Sequence, residues 1–293
     1  MINVVFFGTT KLSYQCLNAI KNIVNIKLIV TTPKKFKISY NKKKINNYNY
    51  FNFKNKFSKK IDVKVVSNMK KKILLKKYQP DIIIVIGWYY NIPNYIVDNF
   101  CTIGLHGSLL PSYKGGAPLV WSLINGEKFT GVTLFKLSNK VDRGKILLQK
   151  KILIRKKEEI NELLNKASKA STKILIKFLK NYKKNKELNF LKNKFNPSYF
   201  PQRKPEDGKI NWSMKAIYID RFIRAQSKPY PGAFTFLNKN KIYIFKSKII
   251  KKLPKKYLVK ENFYKKKNKI YFKSSDYFIQ PIKYLIKNEN KSK

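Results

Sequence analysis

Residues 82–87 read Ile-Ile-Ile-Val-Ile-Gly, a run of branched apolar side chains closed by a glycine. A strand with one wet face alternates apolar and polar residues. This run does not alternate, so it predicts a strand covered on both faces, as in a parallel sheet. Ile2–Phe7, ending at Gly8, and Ile26–Val30 have the same character. Between them, Leu12–Ile20 carries apolar residues at helical spacing. Strand–helix–strand alternation of this kind predicts an open α/β sheet.

Working outward, Thr31–Lys60 is dominated by Lys, Asn, Tyr and Phe with no evident period, and is expected to be a long, mobile, basic loop. Ala117–Asn125 predicts a helix, with Pro118 in its first turn and Gly126 just beyond its end. Val132–Leu137 and Ile146–Ile154 read as strands around a turn at Asn139–Gly144. Ile160, Leu163, Leu164, Ala167, Ala170, Ile174, Leu175 and Phe178 form the apolar stripe of one long helix, a packing feature. Asn181–Lys204 is polar and holds Pro197 and Pro201, as a connection would. Beyond it, Ile217–Ala225 predicts a helix. Ala233–Leu237 and Lys241–Lys246 predict strands around an Asn-Lys-Asn turn, with further short strands to Leu285. The expected division is a catalytic domain at 1–183, a linker at 184–204 and a small β-rich, barrel-like domain at 205–293. The expected fold class is α/β, an open, mostly parallel, twisted Rossmann-like sheet followed by that small domain.

The chain has 293 residues, with 65 Lys and Arg against 15 Asp and Glu, a formal net charge of +50. Such a field draws polyanions, nucleic acid among them. The basic residues are almost all Lys, accompanied by abundant Asn, Ile, Tyr and Phe, which is the signature of an AT-rich gene spread over every wet surface. Cys16 and Cys101 lie far apart without a CxxC, so neither a disulfide framework nor a zinc site is read, and no metal is expected. No window approaches about 18 consecutive apolar residues, so no membrane span is expected. The expected setting is the cytoplasm, and a monomer is expected.

The single histidine, His106, is the one side chain whose ordinary titration falls near neutrality. A lone histidine is more often structural than catalytic. Here a strand over Thr102–Leu105 would carry it to a carboxyl end, where open α/β sheets hold their ligands, and Gly87-Trp88-Tyr89-Tyr90 would end the neighbouring strand at the same rim. Asp142, in a tight turn, reads alone as a turn former. Paired with a histidine it becomes the group that orients a base. Lys114-Gly-Gly-Ala-Pro118 could cradle an anion at a helix start, but it is not a nucleotide P-loop. Gly8-Thr9-Thr10 is not a dinucleotide fingerprint.

Several motifs occur in fixed order: HGSLLP at 106–111, KGGAP at 114–118, NGE at 125–127, TGVTLF at 130–135 and VDRG at 141–144. They join VVFFGTTKLSYQCL at 4–17, RKPEDGKINW at 203–212 and IRAQSKPYPGAF at 223–234. Together they resemble the formyltransferases that use 10-formyltetrahydrofolate, over nearly the whole chain apart from 31–60 and the last forty or so residues. PYPGAF resembles the larger, two-domain members. The resemblance implies formyl transfer to a primary amine, with His106 and Asp142 as catalytic residues and Ser108, Leu109, Leu110 and Pro111 in contact with the folate co-substrate. His106 would donate to the developing oxyanion, held by Asp142, and Asp142 would relay the amine's proton, directly or through water. The family's Asn-x-His motif has Gly104 at its Asn position here. That departure removes an oxyanion donor of a kind worth about 10²–10³ in rate. The implied acceptor is initiator methionyl-tRNA, favoured by the two-domain length and the basicity. An amino sugar nucleotide is the alternative, since GWYYNIP, GLHGSLLP and PYPGAF look at least as close to members acting on amino sugars. A binding protein that has lost turnover is a third reading, raised by Gly104.

Overall fold

In a computed structural model, residues 1–38, 41–47, 50–57, 61–70, 72–185, 187–192, 195–237, 240–252, 263–266 and 269–288 are described. The chain forms two compact units. One comprises Met1–Gly116, Gly131–Ile152 and Lys166–Gln202, and the other Ala117–Thr130, Leu153–Asn165 and Arg203–Lys293.

The first unit is built on β1 (Asn3–Gly8), α1 (Lys11–Ile20) and β2 (Asn25–Thr31). There follow β3 (Lys35–Ile38), β4 (Asn41–Asn46), α2 (Tyr50–Phe57), β5 (Asp62–Val65), β6 (Ile82–Ile86), α3 (Asn94–Asn99), β7 (Thr102–His106) and β8 (Lys114–Gly115). Farther along come β9 (Phe129–Lys136), β10 (Ile146–Leu153), α5 (Ile160–Asn185) and β11 (Tyr199–Phe200), while the intervening α4 (Pro118–Asn125) belongs to the second unit. A seven-stranded sheet runs in the order β10-β9-β7-β6-β1-β2-β5. From β7 to β5 the strands are parallel, and β9 joins antiparallel to β7. This is the open, mostly parallel sheet that the unalternated runs predict. Val4, Val5, Phe6 and Phe7 are fully buried, as are Ile82, Ile83 and Ile84 beside them. The carboxyl ends of the parallel strands share one edge, which brings Gly8, Gly87 and His106 to the same rim. Thr10 caps α1 through a reciprocal pair with Ser13, which fixes the turn from β1 into its helix.

The expectation of a mobile loop over 31–60 is corrected. β3 and β4 pair antiparallel, and α2 follows. The signals were short. Lys35-Phe-Lys-Ile38 alternates over only four residues, with Phe36 and Ile38 buried, and α2 buries Phe53 and Phe57 one turn apart. Tyr14 of α1 meets both of those rings edge-on. Residues 184–204 contain the last turn of α5 and the strand β11, which pairs parallel with β8.

The second unit holds α6 (Ala216–Ala225), β12 (Ala233–Leu237), β13 (Asn240–Ile250), β14 (Phe263–Lys266), β15 (Lys269–Lys273) and β16 (Phe278–Asn288). These strands form an antiparallel sheet in the order β12-β13-β16-β15-β14, curled into a half-barrel. Ile219 and Ile223 of α6 pack with Ile242, Ile244 and Ile279, and Trp212 stacks on Phe272 at 4.5 Å. Two residues of the expected Asn-Lys-Asn turn lie outside the described residues.

Phe6 lies on β1, an interior strand of the sheet, and is fully buried. Phe6→Ala should lower unfolding free energy by about 3–5 kcal/mol, measured by urea denaturation. A loss below about 1 kcal/mol would place Phe6 outside the packed core.

Candidate active site

β7 ends at His106, and the loop between β9 and β10 returns over that end. Two glycine positions make this possible. A Cβ at Gly144 would run into the carbonyl oxygen of Lys136, so only glycine lets the loop fold back so tightly. Gly115 has φ +93, a conformation open to few residues, and a Cβ there would strike the carbonyl oxygen of Phe200. Asp142, with φ 53, adopts the left-handed conformation that a short polar side chain tolerates.

Asp142 Oδ1 stands 3.6 Å from His106 Nδ1, and both side chains are nearly buried. Asp142 Oδ2 accepts a 2.8 Å hydrogen bond from the Gly115 backbone N–H. His106 Nε2 meets the carbonyl oxygen of Tyr113 at 2.8 Å. A carbonyl only accepts, so Nε2 carries the hydrogen in this contact. The pair expected from sequence is therefore brought together, with each partner also gripped by the loop 113–115.

That loop is fixed in turn by residues 196–200. Ser112 Oγ donates to the Asn196 carbonyl, and Tyr113 N–H to Ser198 Oγ at 2.9 Å. Lys114 N–H reaches the Ser198 carbonyl, and the Tyr113 ring stacks on Phe200 at 4.5 Å. Sequence reasoning passed over Tyr113 and Ser198, and offered Gly115 only as part of a possible anion cradle at 114–118. Tyr113 and Gly115 act through backbone atoms, which no residue type signals.

Ser108, Leu109 and Leu110 turn inward, and Pro111 is half-buried. Ser108 Oγ donates to the Ser112 carbonyl. Thr133 Oγ1 donates to the Ser108 carbonyl and accepts from Leu110 N–H, while Gln149 Nε2 donates to the Leu110 carbonyl. Gly104 lies on β7 two residues before His106 and so shares its face. A Cβ there would meet Leu137 and Phe135 at 3.4 Å, ordinary van der Waals contact.

Among the cavities of this unit, two are the largest of those described. One, of about 580 Å³, is lined by Lys114, Lys140, Val141, Arg143, Pro197, Ser198 and Tyr199. The other, of about 590 Å³, is lined by Lys37, Met69, Lys70, Tyr89 and Tyr90, among others. Tyr89 and Tyr90 pack around Phe36 of β3. Among the described residues no His, Cys, Asp and Glu cluster could hold a metal. Burial pushes the Cys16 thiol up to about 12 and raises Cys101 too, against the opposing pull of Lys136, so neither is set up as a thiolate.

Residues 2–179 match the formyl transferase model and residues 203–284 the formyl transferase C-terminal domain. The chain belongs to the formyl transferase family. Members of that family use 10-formyltetrahydrofolate. Over 198 residues the chain is 43% identical to the bifunctional polymyxin resistance protein ArnA of Wigglesworthia glossinidia brevipalpis; the match covers 64% of this chain and 29% of that protein, so the chain spans less than a third of that relative. Among solved structures it resembles the N-formyltransferase from Helicobacter canadensis in complex with folinic acid and dTDP-3-aminofucose, with a TM-score of 0.68 at 20% identity, covering 96% of this chain and 99% of that one. It also resembles methionyl-tRNA formyltransferase from Clostridium thermocellum, with a TM-score of 0.57 at 19% identity, covering 98% of this chain and 100% of that one.

Because the chain has one histidine, its ring resonances in an NMR spectrum belong to His106 alone. Gly144→Ala should displace Asp142 and move those resonances as far as Asp142→Ala does. Unmoved resonances would show that the turn at Gly144 does not set the pair.

Proposed function

We propose that this formyl transferase moves a formyl group from 10-formyltetrahydrofolate to the primary amine of a sugar carried on a nucleoside diphosphate. The observation that carries the transfer is the His106–Asp142 pair, held at the carboxyl end of β7 by the loop 113–115. The chemistry runs on residues 1–183, with 184–204 and 205–293 as connection and small domain. The setting is the cytoplasm, and the chain acts as a monomer.

The residues present fit a folate. The second cavity offers Tyr89, Tyr90 and Met69 to a flat ring system, and Lys37 and Lys70 to carboxylates. Next to Tyr90, Trp88 Nε1 is a buried polar atom without a partner among the described residues, which a heterocycle rich in acceptors can satisfy. Ser108–Pro111 border the site through Pro111 and the backbone, since the side chains of the other three are turned in. Bound there, the folate supplies the formyl carbon.

The acceptor amine attacks in its neutral form. Asp142 takes the proton that the nitrogen sheds on forming its bond to carbon, and the proton passes to the departing folate nitrogen. Negative charge grows on the formyl oxygen, and His106 Nε2–H turns to it from the Tyr113 carbonyl. Giving up that neutral hydrogen bond costs about 0.5–1.5 kcal/mol. An oxyanion donor contributes about 2.7–4 kcal/mol, so the exchange favours the transition state.

The sugar acceptor is supported by the dTDP-3-aminofucose bound to the Helicobacter canadensis structure and by the motifs GWYYNIP and PYPGAF. A second reading, initiator methionyl-tRNA, is favoured by Lys34, Lys35, Lys37 and Lys44, all exposed on and around the hairpin β3–β4, as a phosphate backbone requires. Formyl transfer assayed with amino-sugar nucleotides and charged initiator tRNA side by side decides between them. Turnover with neither would leave the binding-protein reading.

His106→Ala should cut turnover by at least about 10²-fold with the melting temperature little changed, and Asp142→Asn nearly as much. Steady-state rates and thermal melting check both. Activity of either variant within tenfold of wild type would remove that residue from the chemistry.

In Gly104→Asn the added Cβ meets Leu137 and Phe135 in van der Waals contact, and thermal melting against wild type checks that the buried amide leaves the fold intact. An amide on the His106 face that reaches the oxyanion acts once charge develops, so the turnover rate should rise while the Michaelis constant for the folate holds. Both constants unchanged would show that position 104 does not face the reacting centre.

A further inference from the structure

The cavity of about 580 Å³ is not used by the chemistry above, yet it begins at the reacting pair. Val141 and Arg143 flank Asp142 in sequence, and Lys114 precedes the glycine whose N–H holds the Asp142 carboxylate. Three cations, Lys114, Lys140 and Arg143, therefore converge on one space. Among the described residues none of the three side chains is in an ion pair. The nearby Asp142 carboxylate is in no ion pair with them among the described residues; its two oxygens face His106 and the Gly115 N–H. The chain has 65 basic residues, so lysines alone would say little. Arg143 says more: it is one of five arginines, and a guanidinium fork matches a phosphate with paired donors where an ammonium offers a point charge. The same cavity is lined by Pro197 and the Tyr199 ring, 70% exposed, an apolar surface suited to a sugar or base face. β11 pairs Tyr199 with Lys114, which keeps that surface and cation in register. The volume lies within the range for small-molecule sites, about 300–1,000 Å³.

We infer that this cavity is an anion site for the diphosphate of a nucleotide-linked acceptor, with Arg143, Lys140 and Lys114 on the phosphates and Tyr199 against the apolar part. The inference rests on the formyl-transfer reading for its acceptor, and it names where that acceptor's charge is held.

The test is calorimetric binding of uridine diphosphate and thymidine diphosphate to the full chain at two salt concentrations, alongside 5-formyltetrahydrofolate. Arg143→Ala should weaken binding of at least one nucleotide about tenfold or more, and Arg143→Lys should recover only part. Lys140→Ala should weaken it further in combination. Folate affinity should stay within twofold. Lys283→Ala, an exposed lysine on β16, controls for net charge and should change nothing. Each of these results overturns the inference: neither nucleotide binds the wild-type chain, the loss falls on folate instead, or Lys283→Ala weakens nucleotide binding as much as Arg143→Ala. Weakened affinity for charged tRNA with nucleotide binding intact also overturns it. If nucleotide binding responds as expected while no amine is formylated, the site stands and the formyl-transfer reading falls.

Discussion

Asp142 stands beside His106 only because the chain after β9 turns back hard enough to lay residue 142 over the end of β7. Gly144 permits that turn by leaving room for the Lys136 carbonyl. The carboxylate is then locked from the other side by the Gly115 N–H, and the same loop takes His106 Nε2 through the Tyr113 carbonyl. A misplacement of about 1 Å at such a centre can cost about 10²-fold in rate. The backbone contacts that tie 112–116 to 196–200 thus belong to the site as much as the two side chains do.

The sheet explains why these loops meet at all. In the order β10-β9-β7-β6-β1-β2-β5, the parallel strands deliver their carboxyl ends to one edge. β9, antiparallel to β7, carries its own carboxyl end toward the opposite edge. The connection to β10 therefore has to climb back to reach His106, and that is the segment where the left-handed Asp142 and Gly144 occur. The strained positions sit where topology asks for a reversal and chemistry asks for a carboxylate.

Much of this was legible. The runs at 2–7, 26–30 and 82–86 fixed a buried parallel sheet because burial on both faces leaves no room for alternation. His106 could be placed at a strand end, and the family resemblance carried by HGSLLP, KGGAP and VDRG linked it to Asp142. What escaped notice has a common cause. The hairpin β3–β4 is written in four alternating residues, too few for periodicity to separate from a loop. Tyr113 and Gly115 contribute a carbonyl and an N–H, which every residue owns. Lys114 was read as part of a possible anion cradle, but its convergence with Lys140 and Arg143 was hidden by the abundance of lysine, and only folding shows which cations share a space.

Charge works on two scales here. A net charge of +50 raises the encounter rate with any anion, but it does not choose among anions, and salt screens it beyond about 8 Å. Choice needs donors at fixed separations. In the proposed site Arg143, next to Asp142 in sequence, holds the acceptor's phosphates beside the carboxylate to which the amine's proton is proposed to pass. An acceptor held by its phosphates near that turn has lost much of its freedom before the formyl carbon is attacked, which is where intramolecular reactions gain their largest factors. Positioning of that kind also bears on Gly104. A site that lacks one oxyanion donor forfeits about 2.7–4 kcal/mol of transition-state stabilisation, and tighter orientation of the acceptor is a source from which this chain can recover part of it.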